Sequence, residues 1–325
     1  ERIVRDIEDS GRRDTTVPRA HLDDLPTSPL PTVAKERIKL VIARQLSNAG
    51  TETHLELLEQ WSAEKPEAVY IDKTHRLPVE RPLFDYPGAA REAAFFVRSR
   101  LARDRAVRAP RATTDTVPNT PGELHGLILG LASADLPQKQ RQATSIELLR
   151  QIQDDDPALL AAAVNAAFTL REPALLEQLL ASVPARSTAA RHWIALAREE
   201  PALAERIPSL AREHGLGTAK LLFPAVGPDA SEKLLSWLER QAATAEAGVE
   251  AALALHCAAP ARALRWAEAT LFDAESPRAA KRNALVMLRG GGEDARDLLR
   301  RFARAEFSDP ATQRLQREAV KWASE

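Results

Sequence analysis

The chain is short of nearly every residue type that would make it anything but a helical protein. It has one cysteine, Cys257, so no intrachain disulfide can form and no pair of thiolates can hold a metal. Aromatics make up 5% of its 325 residues, and strand-forming Val, Ile, Thr and Tyr are too sparse for an all-β fold. The net charge of −1 lacks the basic excess of a dedicated nucleic-acid binder. No apolar run reaches the roughly 18 residues that a membrane-spanning helix needs. An initiating methionine is also missing, since the first residue is Glu1. With the single cysteine and a proline-rich start, that leads us to expect a removed leader, anchor or upstream domain and an exported or membrane-tethered (periplasmic) protein.

What is present is a globular balance, 44% hydrophobic and 28% charged, dominated by Ala, Leu, Arg and Glu, all strong helix formers. The class expected is all-α.

The chain divides by proline content and helical period. Residues 1–32 hold PRAHLDDLPTSPLP at 18–31, a proline-rich stretch without period, and read as an extended arm or a disordered leader. Residues 33–108 read as an N-terminal helical region. VAKERIKLVIARQL and THLELLEQW form a helical hairpin, and AAREAAFFVRSRLARDRAV forms a further helix. Between them EAVYIDKTHRLPVERPLFDYPG, residues 67–88, is neither helical nor cleanly alternating and reads as an extended insertion. Residues 109–122 read as a linker.

From 123 to 325 one phrase recurs. EPALLEQLL (172–180) and EPALAERIP (200–208) repeat an acid, a proline and an alanine, and DDPALL (155–160) and SDPATQRL (308–315) are close variants. Proline suits the first helical position, where its missing N–H is an orphan anyway, and an acid just before it faces the positive end of the helix dipole. The phrase therefore marks helix openings. Helix starts near 157, 187, 217, 247 and 277 recur with a period of about 30 residues, too short a unit to bury its apolar face alone. The seventh positions are Ala163, Trp193, Phe223, Leu253 and Asn283, and we expect Trp193, Phe223 and Leu253 to share one continuous core. Phe223 precedes Pro224, so GTAKLLFPAVGP is expected to be a short helix stopped at the proline.

These features resemble the short HEAT-like repeats, with their helical pairs and alanine- and leucine-rich faces. The unit is shorter than a standard HEAT or armadillo repeat, and the tetratricopeptide pattern of Trp, Leu-Gly, Tyr and a late Pro is not met. The resemblance implies an α-solenoid over 123–325 that presents a curved surface to another macromolecule.

Catalytic signatures are missing: no GxSxG, HExxH, GxGxxG or GxxxxGK[ST], and no Cys or His pair at metal-ligand spacing. We therefore expect no catalytic residue, no metal, no cofactor and no small-molecule ligand. His256-Cys257 reads as a small buried cysteine beside a tolerated histidine. RGGGED (289–294) reads as an inter-helix turn, because Glu293 and Asp294 stand where an anion would sit.

Two stretches carry binding chemistry. Tyr70, His75, Arg76, Arg81, Phe84 and Tyr86 of the insertion are residue types enriched at interface anchors, serving as a binding loop or as a clasp over neighbouring helices. Arg98, Arg100, Arg103, Arg105 and Arg108 form a basic patch that could meet an anion or an acidic partner. The alternative for the patch is a solvated helix face.

The function expected is a non-enzymatic, bacterial-type scaffold or adaptor that binds another protein through the concave solenoid face and the 67–88 insertion. One alternative is a nucleic-acid-binding HEAT-repeat protein, DNA-glycosylase-like, using the arginines of 91–111. Another is an accessory factor in enzyme or cofactor maturation.

Overall fold

Proline opens the helices where the recurrent phrase places it. The computed structural model describes Leu22 and residues 25–74, 79–115, 117–151 and 156–324. Among these residues there are sixteen α-helices and a single two-stranded antiparallel ribbon, so the chain is all-α as expected. The chain divides into two compact units, Glu1–Leu170 and Arg171–Glu325.

The first unit holds α1 (Thr32–Ala49), α2 (Leu55–Ala63), the ribbon strands β1 (Val69–Asp72) and β2 (Val79–Pro82), α3 (Tyr86–Arg108), α4 (Pro121–Ser133), α5 (Gln138–Arg150) and α6 (Pro157–Thr169). The pair α1 and α2, expected as a hairpin, is organised instead around α3, on which both pack. Ile38, Ile42 and Leu46 of α1, Leu58 and Trp61 of α2, and Tyr86, Ala90 and Val97 of α3 make one core. Leu22 and Leu25 are buried in the same cluster, and Pro26 O accepts from Lys35 Nζ at 2.8 Å. The end of the proline-rich stretch therefore lies along the protein.

On its other side α3 meets α4 with backbone against backbone. Gly122, Gly126 and Gly130 recur every fourth residue along α4 and form one stripe. A Cβ at Gly122 would fall 2.5 Å from Phe95 O, and one at Gly130 would fall 2.6 Å from Arg103 O; at Gly126 it would come closer still to Ser99 O. The obstacles are backbone carbonyl oxygens of α3, which cannot rotate away as a side chain can. Ala102 and Ala106 of α3, both buried, keep the facing side small. Residues 109–122, expected as a linker, contain a 3-10 turn at Pro110–Asp115 and the opening of α4, capped by Thr120 Oγ1 accepting from Glu123 N at 3.3 Å.

The second unit runs α7 (Pro173–Leu179), α8 (Val183–Glu199), a 3-10 turn (Pro201–Arg206), α9 (Ile207–His214), α10 (Leu216–Ala219), a second 3-10 turn (Lys220–Ala225), α11 (Glu232–Ala242), α12 (Gly248–Ala258), α13 (Pro260–Phe272), α14 (Arg278–Arg289), α15 (Glu293–Arg304) and α16 (Pro310–Ser324). Pro157, Pro173, Pro201 and Pro310 each stand first in their element. Asp and Glu differ at the preceding position. Asp156 accepts from Ala158 N at 2.8 Å and Asp309 from Thr312 N at 2.8 Å, whereas Glu172 and Glu200 make no side-chain cap bond. The second EPAL opens a 3-10 turn. GTAKLLFPAVGP behaves as expected: four α-helical residues tighten into a 3-10 turn containing Pro224.

Packing alternates by two from the 220–225 turn onward. α8 lies against the 220–225 turn, that turn against α12, α12 against α14, and α14 against α16, while chain neighbours from α11 to α16 also touch. Trp193 and Phe223 are buried at 0% and 1% exposure, but Leu253 is 41% exposed and leaves the expected core. The stripe that α12 buries is Ala251, Ala252, Leu255 and Ala258, and residue 253 falls on the opposite side of the helix. A Leu253→Ala change therefore opens no cavity. The polar member of the series, Asn283, is buried instead. Its Nδ2 donates to Ala242 O at 2.9 Å and Thr244 O at 2.8 Å, satisfying carbonyls at the end of α11. Cys257, expected to be buried, is exposed.

Glycine-to-alanine changes inside helices ordinarily gain about 0.5–1 kcal/mol. We expect Gly126→Ala to lose on the order of 1–3 kcal/mol instead, read by urea unfolding. Gly290→Ala should be near neutral, since its Cβ would meet nothing within 4 Å. A neutral or stabilising Gly126→Ala would contradict the close seam.

Candidate functional site

The insertion begins with a buried carboxylate. Glu36 of α1 is 4% exposed, and its Oε1 accepts from Glu67 N at 2.6 Å and Ala68 N at 3.2 Å. Ala68 O in turn accepts from Leu83 N at 2.7 Å. These bonds clamp both ends of the ribbon at its root. Beyond the root the strands pair Val69 with Pro82, Tyr70 with Arg81, Ile71 with Glu80 and Asp72 with Val79. At the far end Asp72 Oδ1 accepts from Thr74 N at 2.9 Å and Thr74 Oγ1 at 2.6 Å. Those bonds, with help from Arg81, hold the Asp72 carboxyl below the usual aspartate range. Arg81 Nε lies 3.6 Å from Asp72 Oδ2.

Two-stranded ribbons are marginal alone in water, and this one buries almost nothing. Val69, Tyr70, Ile71, Val79 and Leu83 are all exposed, Ile71 most at 59%. Apolar β-branched and aromatic side chains thus face solvent on both sides of a sheet with no further strand among the described residues.

The expected site residues fall into two groups. Tyr70 and Arg81 are on the exposed ribbon. Phe84 is half-buried just past it, and Tyr86 is 2% exposed in the first core. Tyr86 OH donates to Glu64 Oε2 at 2.9 Å, and Lys39, ion-paired with Glu64, lies 4.9 Å over the Tyr86 ring. Burial first, then the bond to Glu64, pushes the Tyr86 hydroxyl well above its ordinary pKa. Tyr86 is therefore part of the clasp. His75 and Arg76 lie outside the described residues.

The arginine patch is largely occupied from within. Arg98 pairs with Glu59 of α2, and Arg105 Nη2 with Glu123 Oε1 of α4 at 2.5 Å. Arg100 donates to Ser47 O and to Gly50 O, capping the end of α1, and burial pulls its guanidinium below the usual arginine value. Arg103 and Arg108 are exposed.

One Ser–His contact that sequence reading missed sits in the glycine seam, where Ser99 Oγ lies 3.0 Å from His125 Nδ1. Ser99 is 6% exposed, and the Phe95 ring stands 5.2 Å from the imidazole. Burial lowers the His125 pKa, favouring the neutral ring. A substrate cannot reach the hydroxyl between two helices in backbone contact, so the pair serves packing. Among the described residues no group of three or more His, Cys, Asp or Glu is placed to hold a metal ion, and no helix is long and apolar enough to cross a membrane. No family model, curated protein or solved structure matches the chain.

The clamp makes a local prediction. Glu36→Ala strips the acceptor from two amides, a bond class worth about 1.5–3 kcal/mol. We expect native-state trypsin cleavage after Lys73 to speed up about tenfold or more, with Glu36→Gln close to wild type. Unchanged cleavage in Glu36→Ala would show that the ribbon is not held at its root by this carboxylate.

Proposed function

We propose that the chain is a non-catalytic adaptor built on a short HEAT-like α-solenoid, with the 69–82 ribbon as the element presented to a protein partner. Two facts support the repeat reading. Helix openings in the second unit return with a period of about 30 residues, and from the 220–225 turn onward its elements pack at every second position, the turn on α12, α12 on α14 and α14 on α16. Such packing buries a shared core between units that could not fold singly.

The observation that carries the binding role is the ribbon. A chain that folds with Trp193, Phe223 and Phe302 almost wholly buried nonetheless holds Val69, Tyr70, Ile71 and Val79 in water, on a root fixed by a buried glutamate. Exposed apolar clusters on an ordered scaffold mark interaction surfaces, and an open ribbon offers unpaired backbone groups to an added strand. The nucleic-acid alternative draws little from the 98–108 arginines, since Arg98, Arg100 and Arg105 already have partners within the first unit.

The test is a photo-crosslinking amino acid placed at Ile71 and, as control, at the exposed Glu56 of α2, in cells that naturally make the protein. We expect one discrete polypeptide adduct from position 71 and none from position 56. Absence of any adduct at 71, or identical adducts at both positions, would contradict the proposal.

A further inference from the structure

Charge in the second unit is sorted by row, which the whole-chain value of −1 conceals. The helices of one contact row, α8, α12, α14 and α16, differ from those between them. The intervening helices balance their charges: Arg262 of α13 holds Glu239 and Glu232 of α11, Arg301 of α15 pairs with Glu268 of α13 at 2.6 Å, and Arg300 with Asp297 at 2.6 Å. The alternate row does not. α14 carries no carboxylate at all, and α16 has one, Glu318, against Arg314, Arg317 and Lys321. α8 has Glu199, which Arg171 already engages, against Arg186, Arg191 and Arg198. Arg198, Arg278, Arg282, Arg314, Arg317 and Lys321 are all exposed. Of the four carboxylates in the turns before α14 and α16, two are engaged locally, Asp273 accepting from Glu275 N and Ser276 Oγ and Asp309 from Thr312, and the other two are Glu275 and Glu306. One compensated pair lies within the row, Lys220 with Glu250 at 3.3 Å.

These helices are joined in one contact row, α8 to the 220–225 turn, that turn to α12, α12 to α14 and α14 to α16. α12 and α14 are each flanked in the row and backed by the intervening helices, so their exposed residues point away from those helices. The row also exposes apolar side chains, Leu253 at 41% in its middle and Val320 at 53% on α16.

We propose that this row is a docking face for an acidic, amphipathic segment of a protein partner. Carboxylates on the segment would meet the arginines, and its apolar residues would cover Leu253 and Val320. Arginine suits carboxylate because its planar fork pairs in a bidentate manner. The exposed leucine and valine favour a peptide over a phosphate backbone, which has no use for aliphatic contact. The inference rests on the adaptor reading and adds a second surface, independent of the ribbon, with a stated partner chemistry.

The test uses the full chain and two labelled probes, a 20-residue helical peptide of Glu and Leu at heptad spacing and a 20-nucleotide single strand. Fluorescence anisotropy at low salt should show the peptide bound at least tenfold more tightly than the nucleotide, weakening as salt rises. The triple change Arg198→Glu, Arg282→Glu, Arg317→Glu should weaken peptide binding by tenfold or more, and Leu253→Ser by severalfold. Arg296→Glu with Arg304→Glu, on exposed positions of α15, should leave it unchanged, and circular dichroism should show all variants folded. Failure to bind the peptide, tighter binding of the nucleotide, or equal loss in the α15 variant would each overturn the proposal. The crosslink at Ile71 is untouched by these changes, so a failed docking face and a failed adaptor are told apart.

Discussion

A carbonyl row against a glycine row holds the first unit together. Where α4 lies on α3, the glycine stripe leaves no room for even one methyl group, and so the separation of the two helices is set by backbone atoms. Side-chain interfaces can repack by shifting rotamers, but this one cannot. α3 therefore becomes a fixed axis. α1 and α2 dock on its far side through Ile42, Leu46, Leu58 and Trp61, and α5 and α6 dock on α4. The arginines of α3 then fall within reach of Glu59, the end of α1 and Glu123, and they act as ties between helices. Their charge is mostly used inside the unit.

The second unit solves the same problem with polar staples. Glu177 of α7 is buried, and Trp193 Nε1 donates to it at 3.0 Å while Arg206 lies 2.6 Å from its other oxygen. Burial raises the carboxyl pKa despite those two partners. Three successive elements are joined at that one side chain. Asn283 does the same for α11 and α14, and it sits so close to Gly248 that a Cβ there would collide with its amide nitrogen. Aromatic packing adds to this, with Phe223 edge-on to Trp237 at 5.7 Å and Phe302 to Phe272 at 6.0 Å. Buried polar groups of this kind are tolerated only when fully bonded.

Helix openings were legible because proline and a preceding acid have local causes, and four such phrases open their elements where expected. The ribbon was legible only as a break in helical period. Its pairing depends on Glu36, more than thirty positions earlier, and nothing in EAVYIDKTHRLPVERP announces that partner. The seam was written plainly as three glycines four apart, yet a spacing states which face is small and not what will approach it. The seventh-position series succeeded for Trp193 and Phe223 and failed for Leu253, because a period in helix starts does not fix helix rotation. One residue of slip turns a side chain by about 100°. Arg98, Arg100 and Arg105 resembled a patch because sequence counts charges without showing their partners.

The first unit combines a rigid seam with a ribbon that buries almost nothing. Hydrogen exchange of the intact chain, followed residue by residue under native conditions, tests that contrast directly. The account places the slowest amides of the first unit in α3 from Ala94 to Ala106 and in α4 from Leu124 to Gly130, with the ribbon amides of 69–72 and 79–82 exchanging orders of magnitude faster. Seam amides exchanging as fast as those of the ribbon would contradict it.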